Sequence, residues 1–210
     1  MSETKLFEEY AAGKRDFAGI DFNGVCLYRA ELANINLQNA SLIGANLSGA
    51  NLTGANLAGA NLIGANLSGA CLISANLSHA DLIGANLGGA KLANANLREI
   101  TLNGGNLSGA NLSGADLSYA SLRGANFSGA FLNATFTEAN LQNANLNSVS
   151  LVEANLSGAN LRGANLVGAN LSHANLTEAI LVDANLNGTN FSGVNLEQAN
   201  VMESEVVAKD

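Results

Sequence analysis

The residues that could carry acid–base, nucleophilic or metal chemistry are two histidines, two cysteines and 17 carboxylates in a chain of 210 residues. A catalytic or metal site needs several such groups converging in one pocket. His79 and His173 lie far apart in the sequence, and the cysteines form no Cys-x-x-Cys or Cys/His cluster. We therefore expect no enzyme activity, no metal site and no cofactor.

The elements that position these residues repeat every five residues. A Leu or Phe returns at each fifth position from Phe17 to Leu132 and again from Phe136 to a final Val201, which gives 38 centres. The residue two places earlier is Ala in 29 of them. A period of five fits neither a helix nor a long strand. It is typical of a short extended step followed by a corner, with Leu and Ala stacked inward on adjacent coils.

The corners have a glycine signature. Of the 23 glycines, 20 lie two places after a centre, where a type II turn needs positive φ. Where that position is Asn34, Glu99 or Tyr119, we expect a type I or less regular corner.

The repeated Ala-Asn-Leu-Ser-Gly of residues 45–49 and its variants over residues 15–201 resemble the pentapeptide-repeat family, whose motif is roughly Ala-(Asp/Asn)-Leu-X-X. This resemblance implies an all-β solenoid, a right-handed quadrilateral parallel β-helix with four pentapeptides per turn. It would have about nine and a half coils and form a rod about 45 Å long.

Residues 10–17 are similar to the N-terminal segment that leads into the repeats of cyanobacterial members, including a heterocyst-regulating one. By that resemblance the chain would come from a cyanobacterium and serve developmental or stress signalling. The alternative is a capping sequence retained for structural reasons only.

The domain organisation follows from where the repeat begins, slips and ends. We expect a helical cap at residues 1–14, because an open first coil needs one, and the β-helix at residues 15–201. Near residues 131–136 two centres are four apart rather than five, so we expect one tightened corner that keeps the coil count. Residues 202–210 form a short charged tail that could fold over the last coil.

Two inward positions depart from alanine as a pair. Ile100 precedes Leu102, and Gly105 precedes Leu107. We expect the larger and the smaller residue to offset each other in volume.

The cysteines occupy outward positions. Cys26 and Cys71 fall on adjacent faces two coils apart, a separation of about 9.6 Å along the axis that exceeds the roughly 7 Å limit for a disulfide. We expect both to be free, exposed thiols.

Outward residues that break the Asn/Ser/Gly background mark a candidate interaction patch near the register break. They are His79, Lys91, Arg98, Glu99, Tyr119, Phe131 and Glu138. Tyr, Arg and Phe are typical anchors of protein interfaces. The alternative is a solvated strip of mixed charge.

A second feature is an apolar strip. Ile43, Ile63 and Ile83 are 20 residues apart and are therefore predicted to stack on one face. The strip is either a docking surface or a set of β-branched residues that favour the extended step.

The net charge of −8 raises a second functional class, the DNA mimics of the family that bind DNA gyrase and confer quinolone resistance. DNA of the same length carries roughly 26 charges, whereas residues 15–201 carry 11 acidic and 6 basic residues. The position before the centre is Asn in 23 repeats, Asp in four and Glu in one. Neutral ladders therefore replace the acidic ones that mimicry needs.

We favour a non-catalytic scaffold or regulatory protein that binds another protein, with DNA mimicry as the alternative. Basic residues are too few and too scattered for direct nucleic-acid binding. No apolar run suggests a membrane span and no secretory signal is evident, so we expect a cytoplasmic protein. We expect a monomer or an end-to-end dimer.

Overall fold

The computed structural model describes residues 1–196 and 198–201, which form one short helix followed by a β-helix. The helix α1 spans Glu3–Ala11. The predicted fold class, a right-handed quadrilateral β-helix with an N-terminal helical cap, is confirmed. The predicted tail at residues 202–210 lies outside the described residues. No helix within the described ranges is long and apolar enough to cross a membrane.

Parallel single-residue bridges join successive coils at the position before each centre. They link residues 20 apart, as in Asp16↔Asn36 and Asn36↔Asn56. Two hydrogen bonds hold each bridge: the Phe17 N–H donates to the Asn36 carbonyl at 2.8 Å, and the Asn36 N–H donates to the Arg15 carbonyl at 2.7 Å. The chain therefore returns to the same face every four pentapeptides, and every coil pairs with the coil below it.

The corners share one backbone conformation whatever residue they carry. From Phe17 to Phe191, every centre except Leu132 is followed two places later by positive φ, at 20 glycines and at 15 other residues with φ between 54° and 62°. The irregular corners predicted at Asn34, Glu99 and Tyr119 are therefore wrong, since φ there is 59°, 57° and 62°.

The reason is a hydrogen bond between coils. Of these 35 residues, 32 donate their N–H to a carbonyl of the next coil, for example Glu99 to Ser118 at 3.0 Å, and the three without such a bond within the described residues are Asp183, Gly188 and Gly193 of the last coil. A residue without a glycine's freedom is held in the left-handed region because leaving it would leave that N–H unpaired.

The core is a stack of leucines and alanines, nearly all of them fully buried. At the register break, the rings of Phe127 and Phe136 pack edge to face, with centroids 6.3 Å apart. Bridges spanning the break join residues 19 apart, as in Asp116↔Thr135, and the spacing returns to 20 at Thr135↔Asn155. The missing residue is thus taken from one corner and the coil count is kept.

Asparagine ladders line the outside. The side-chain oxygen of Asn106 accepts the N–H of Ser108 at 3.0 Å, and its amide donates to Asn86 at 3.0 Å. At residue 121 the ladder asparagine is replaced by serine. There the side-chain oxygen of Asn103, in the coil above, accepts hydrogen bonds from the Ser121 hydroxyl and from the Arg123 N–H, each at 2.9 Å. The turn N–H is therefore satisfied even where the ladder is interrupted.

The helix α1 covers the open first coil. Ser2 caps its N-terminus by accepting the N–H of Lys5 at 3.3 Å, and Leu6 is completely buried. The Glu3 carboxylate accepts the N–H of Cys26, and the Tyr10 hydroxyl donates to the Ala33 carbonyl, each at 2.8 Å. The cap thus pairs two backbone groups that have no coil above them.

Gly105 leaves space in the core beside Leu102. A Cβ on Gly105 would lie 2.6 Å from Leu102 Cδ1 and 3.2 Å from the Ala85 carbonyl oxygen, and φ there is not positive. The glycine therefore provides space rather than backbone freedom, and Leu102, which follows Ile100, fills it.

We predict that Gly105→Ala lowers the free energy of unfolding by about 1–3 kcal/mol, because the added methyl overpacks the core. Ile100→Ala should reduce this loss by giving Leu102 room to move. The measurement is a double-mutant cycle on denaturant unfolding. Gly88→Ala is the matched control, since its new methyl would meet only outward asparagine and serine side chains. Equal losses in both backgrounds would show that the two positions do not share volume.

Candidate protein-interaction site

Four successive coils place a large side chain at the same corner, which we call the corner ridge: His79, Glu99, Tyr119 and Glu138. All four have positive φ. In the other corner columns of the described residues, glycine interrupts after at most two such side chains. The Nδ1 atom of His79 lies 3.3 Å from Glu99 Oε2, an ion pair when the imidazole is protonated. The corner ridge is therefore the longest run of large corner side chains within the described residues.

Arg98 anchors the middle of the ridge. Its Nη1 atom lies 3.2 Å from Asp116 Oδ2, and its guanidinium lies 5.2 Å from the centroid of the Tyr119 ring. The Tyr119 side chain is 50% exposed. Arg98 and Tyr119 are thus held together at the surface before any partner arrives.

Asp116 is held ionised by its neighbours. Partial burial raises the pKa of its carboxyl, but hydrogen bonds from the Ser118 hydroxyl and N–H, together with the Arg98 guanidinium, outweigh burial and lower the pKa below its ordinary value. The Ser118 hydroxyl donates to Asp116 Oδ1 at 2.5 Å. Ser118 is also the only buried polar residue within the described ranges.

The remaining patch residues lie farther from this centre. Lys91 and Phe131 belong to one column of the adjoining face, linked through Asn111, and Phe131 is 59% exposed. Glu138 turns toward the following coil, because its Cγ atom lies 3.0 Å from where a Cβ on Gly158 would be. The structure therefore brings His79 together with Glu99 and Arg98 together with Tyr119, and places Phe131 and Lys91 beside them rather than in contact.

A shallow groove runs beside the ridge. It is lined by Glu99, Ile100, Thr101, Tyr119 and Ser121. Ile100 belongs to the unusual Ile/Gly pair of the core, so the core irregularity and the surface relief occur at the same level of the rod.

Sequence reasoning left Asp116 and Ser118 out of the patch. The signal that could have found Asp116 is its spacing of 18 residues from Arg98. This spacing joins the residue after one centre to the residue before a centre of the next coil. The same spacing joins Asn103 to Ser121 and Thr137 to Asn155. Sequence reasoning also missed Tyr28 near the cap. This side chain is 53% exposed, and the centroid of its ring lies 5.0 Å from the Arg29 guanidinium.

The isoleucine strip forms a single column. The carbonyls of Ile43, Ile63 and Ile83 accept N–H groups from three successive corner glycines. Ile43 and Ile83 are 41% and 42% exposed, and Ile63 is half-buried.

One face of the rod carries no charge over eight successive coils, and we call it the neutral face. Its pentapeptides begin with residues 45–49 and end with residues 184–188, and none contains an acidic or basic residue. The charged and aromatic residues of the patch therefore lie outside this face.

The thiols and carboxylates form no metal cluster. Cys26 and Cys71 are both free. Cys26 is exposed as expected, whereas Cys71 is only partly so, with its Sγ atom 3.2 Å from the Thr53 hydroxyl. Within residues 1–196 and 198–201, no three His, Cys, Asp or Glu residues are grouped so that they could hold a metal ion.

Comparison with known proteins agrees with this architecture. The family model described as pentapeptide repeats matches in eight copies between residues 16 and 204. No curated protein matches the chain. The predicted resemblance to pentapeptide-repeat proteins, including heterocyst-regulating members, is confirmed.

Three solved structures illustrate the likeness. HetL, a protein involved in heterocyst differentiation regulation in Nostoc sp. strain PCC 7120, is 38% identical over 97% of this chain and 96% of its own, with a TM-score of 0.46. Rfr23 from Cyanothece 51142 is 39% identical over 47% of this chain and 62% of its own, with a TM-score of 0.31. QnrB1, a plasmid-mediated fluoroquinolone resistance protein, is 22% identical over 86% and 92%, with a TM-score of 0.42.

We predict that the Asp116 carboxyl titrates below its ordinary value of 3.8. Its ionised form stabilises the fold at pH values above the unfolded-state pKa, and this contribution is lost as the pH falls through the lower folded-state pKa. Carbon NMR of the side chain would give the midpoint. Ser118→Ala should raise it, because the hydroxyl bond to Asp116 is removed, and Arg98→Ala should also raise it, because a hydrogen bond and a positive charge are removed. A midpoint unchanged in Ser118→Ala would contradict the assignment.

Proposed function

The chain belongs to the pentapeptide-repeat family, and we propose that it is a non-catalytic scaffold or regulatory protein that binds a protein partner through the corner ridge and its surroundings. The observation that carries the proposal is the Arg98–Tyr119 pair, an exposed aromatic ring and a guanidinium held in contact on a rigid rod. Tyr and Arg are enriched among the residues that dominate binding energy.

Preorganisation supports this assignment. The ridge backbone is fixed by bonds between coils, such as Tyr119 N–H to the Thr137 carbonyl at 2.9 Å, and Asp116 restrains the Arg98 side chain. Binding therefore costs little loop or side-chain ordering, which otherwise subtracts from affinity.

The surrounding side chains support a protein partner rather than a small molecule. The groove beside Tyr119 is shallow and open, whereas small ligands need a concave site that buries most of their surface. Phe131, the most exposed large apolar residue among those described, adds apolar area on the adjoining face. The patch thus combines an aromatic centre with charged residues around it, as protein interfaces do.

We predict that Arg98→Ala/Tyr119→Ala/Phe131→Ser reduces partner retention about tenfold or more, because truncating interface anchors costs about 2 kcal/mol or more. The measurement is affinity capture from extract of the native source with quantitative mass spectrometry. The matched control is Ser68→Ala/Ser108→Ala/Ser128→Ala on the neutral face. Circular dichroism should show the same fold for both variants. A partner retained equally by both would place the interface elsewhere.

The alternative function is a DNA mimic that binds DNA gyrase, and the net charge of −8 favours it. The distribution of that charge does not. The neutral face presents asparagines, and the acidic residues of the repeats alternate with Arg98, Arg123 and Arg162. Two of these arginines are paired, Arg98 with Asp116 and Arg162 with Asp183, each at 3.2 Å.

We therefore predict no effect of micromolar protein on DNA supercoiling by gyrase, with or without a quinolone. The contrasting variant replaces the arginines that neutralise neighbouring carboxylates, Arg98→Gln/Arg162→Gln, and makes the rod more acidic. Inhibition by the wild-type chain that increases in this variant would favour mimicry over the scaffold function.

A further inference from the structure

Three Asn-Gly pairs occupy equivalent corners of the solenoid: Asn23-Gly24, Asn103-Gly104 and Asn187-Gly188. Each glycine has positive φ, between 65° and 69°. An Asn-Gly sequence can close a five-membered imide when the glycine nitrogen reaches the asparagine Cγ atom. Whether it does so in a folded chain depends on how firmly both groups are held.

The first two pairs are held by the coil below. The Asn23 oxygen accepts the Ser41 hydroxyl at 2.7 Å and the Ile43 N–H at 2.9 Å. The Gly24 N–H donates to the Ile43 carbonyl at 2.8 Å. Ring closure at Asn23 would therefore have to break three hydrogen bonds.

The second pair repeats this arrangement. The Asn103 oxygen accepts from Ser121 and Arg123, each at 2.9 Å, and the Gly104 N–H donates to the Arg123 carbonyl at 2.9 Å. Both reacting groups are again occupied.

The third pair lies in the last coil and lacks these bonds. Within the described residues, neither the Asn187 side chain nor the Gly188 N–H has a hydrogen-bond partner, and both residues are exposed. The Asn187 N–H donates to the Asn185 oxygen at 3.2 Å, which keeps the corner in the same turn as the others. The third corner thus has the same turn, but no described residue supplies the hydrogen bonds that hold the other two pairs.

We propose that Asn187 is a site of spontaneous deamidation, selected by its position in the last coil, where its corner has no hydrogen bond to a following coil within the described residues. The Gly188 nitrogen loses its proton and attacks the Asn187 Cγ atom. A new C–N bond forms, the bond from Cγ to the side-chain nitrogen breaks, and ammonia leaves. Water then opens either carbonyl of the imide, which gives aspartate or isoaspartate without any oxidant or reductant.

The product changes the surface and the backbone. Asn187 belongs to the neutral face, so the reaction places a carboxylate on a face that carries no charge over eight coils. The isoaspartate form also adds one backbone atom to the corner. An inner coil would lose register with the coils on both sides, whereas the Asn187 corner pairs, among residues 1–196 and 198–201, only with the preceding coil through the Gly168 N–H.

The experiment incubates the full-length folded protein at mildly alkaline pH and maps peptides by mass spectrometry. Isoaspartyl methyltransferase labelling serves as a second readout. We expect Asn187 to convert about tenfold or more faster than Asn23 and Asn103, because each of those sites must first open three hydrogen bonds. In concentrated denaturant the three sites should convert at similar rates.

Two results would overturn the proposal. One is conversion of Asn187 in the folded chain no faster than that of Asn103. The other is a preference for Asn187 that persists unchanged in denaturant, since the preference would then come from local sequence. Asn187→Gln is the control that should abolish methyltransferase labelling of the folded chain, and labelling that remains would also contradict the assignment.

Discussion

The hydrogen bond from the corner N–H to the coil below is the constraint on which the rest of this structure depends. It holds 32 corner residues in the left-handed region, including 14 that are not glycine. Strain of this kind costs on the order of 1–3 kcal/mol per residue and persists only where the surroundings over-determine it. The stacked coils do so, and the backbone is therefore the same whether a corner carries Gly124 or Tyr119.

Because the corner backbone has the same conformation whatever residue it carries, the side chains at the corners can change without changing the fold. Leu and Ala of the core determine where each corner lies, and the corner side chain then projects from a fixed point. The corner ridge is consequently an arrangement of side chains on an unchanged scaffold. Its connection to the core is Ile100, which lines the groove and lies two residues before Leu102, the side chain that fills the space at Gly105. Surface relief and core packing can thus vary almost independently along this rod.

The five-residue period was enough to predict the fold class, because a core column has to be occupied at every coil. Propensity failed at Asn34, Glu99 and Tyr119, where a bond between coils overrides the local preference of the residue. Pattern reasoning included Lys91 and Phe131 in the candidate patch as neighbours of the ridge, and in the structure they lie on the adjoining face. It missed Asp116 because the contact with Arg98 spans 18 residues, a spacing that appears only when the coils are stacked.

The same constraint explains why the two ends of the rod differ from its middle. In an inner coil the corner N–H donates to the coil below, as Gly104 does to Arg123, and we expect this to suppress chemistry at that nitrogen. At the first coil, α1 replaces the missing neighbour with side chains, as when Glu3 accepts the Cys26 N–H. At the last coil the Gly188 N–H finds no such replacement among the described residues. We therefore expect reactivity in this solenoid to depend less on which residues are present than on whether a neighbouring coil pairs their backbone groups.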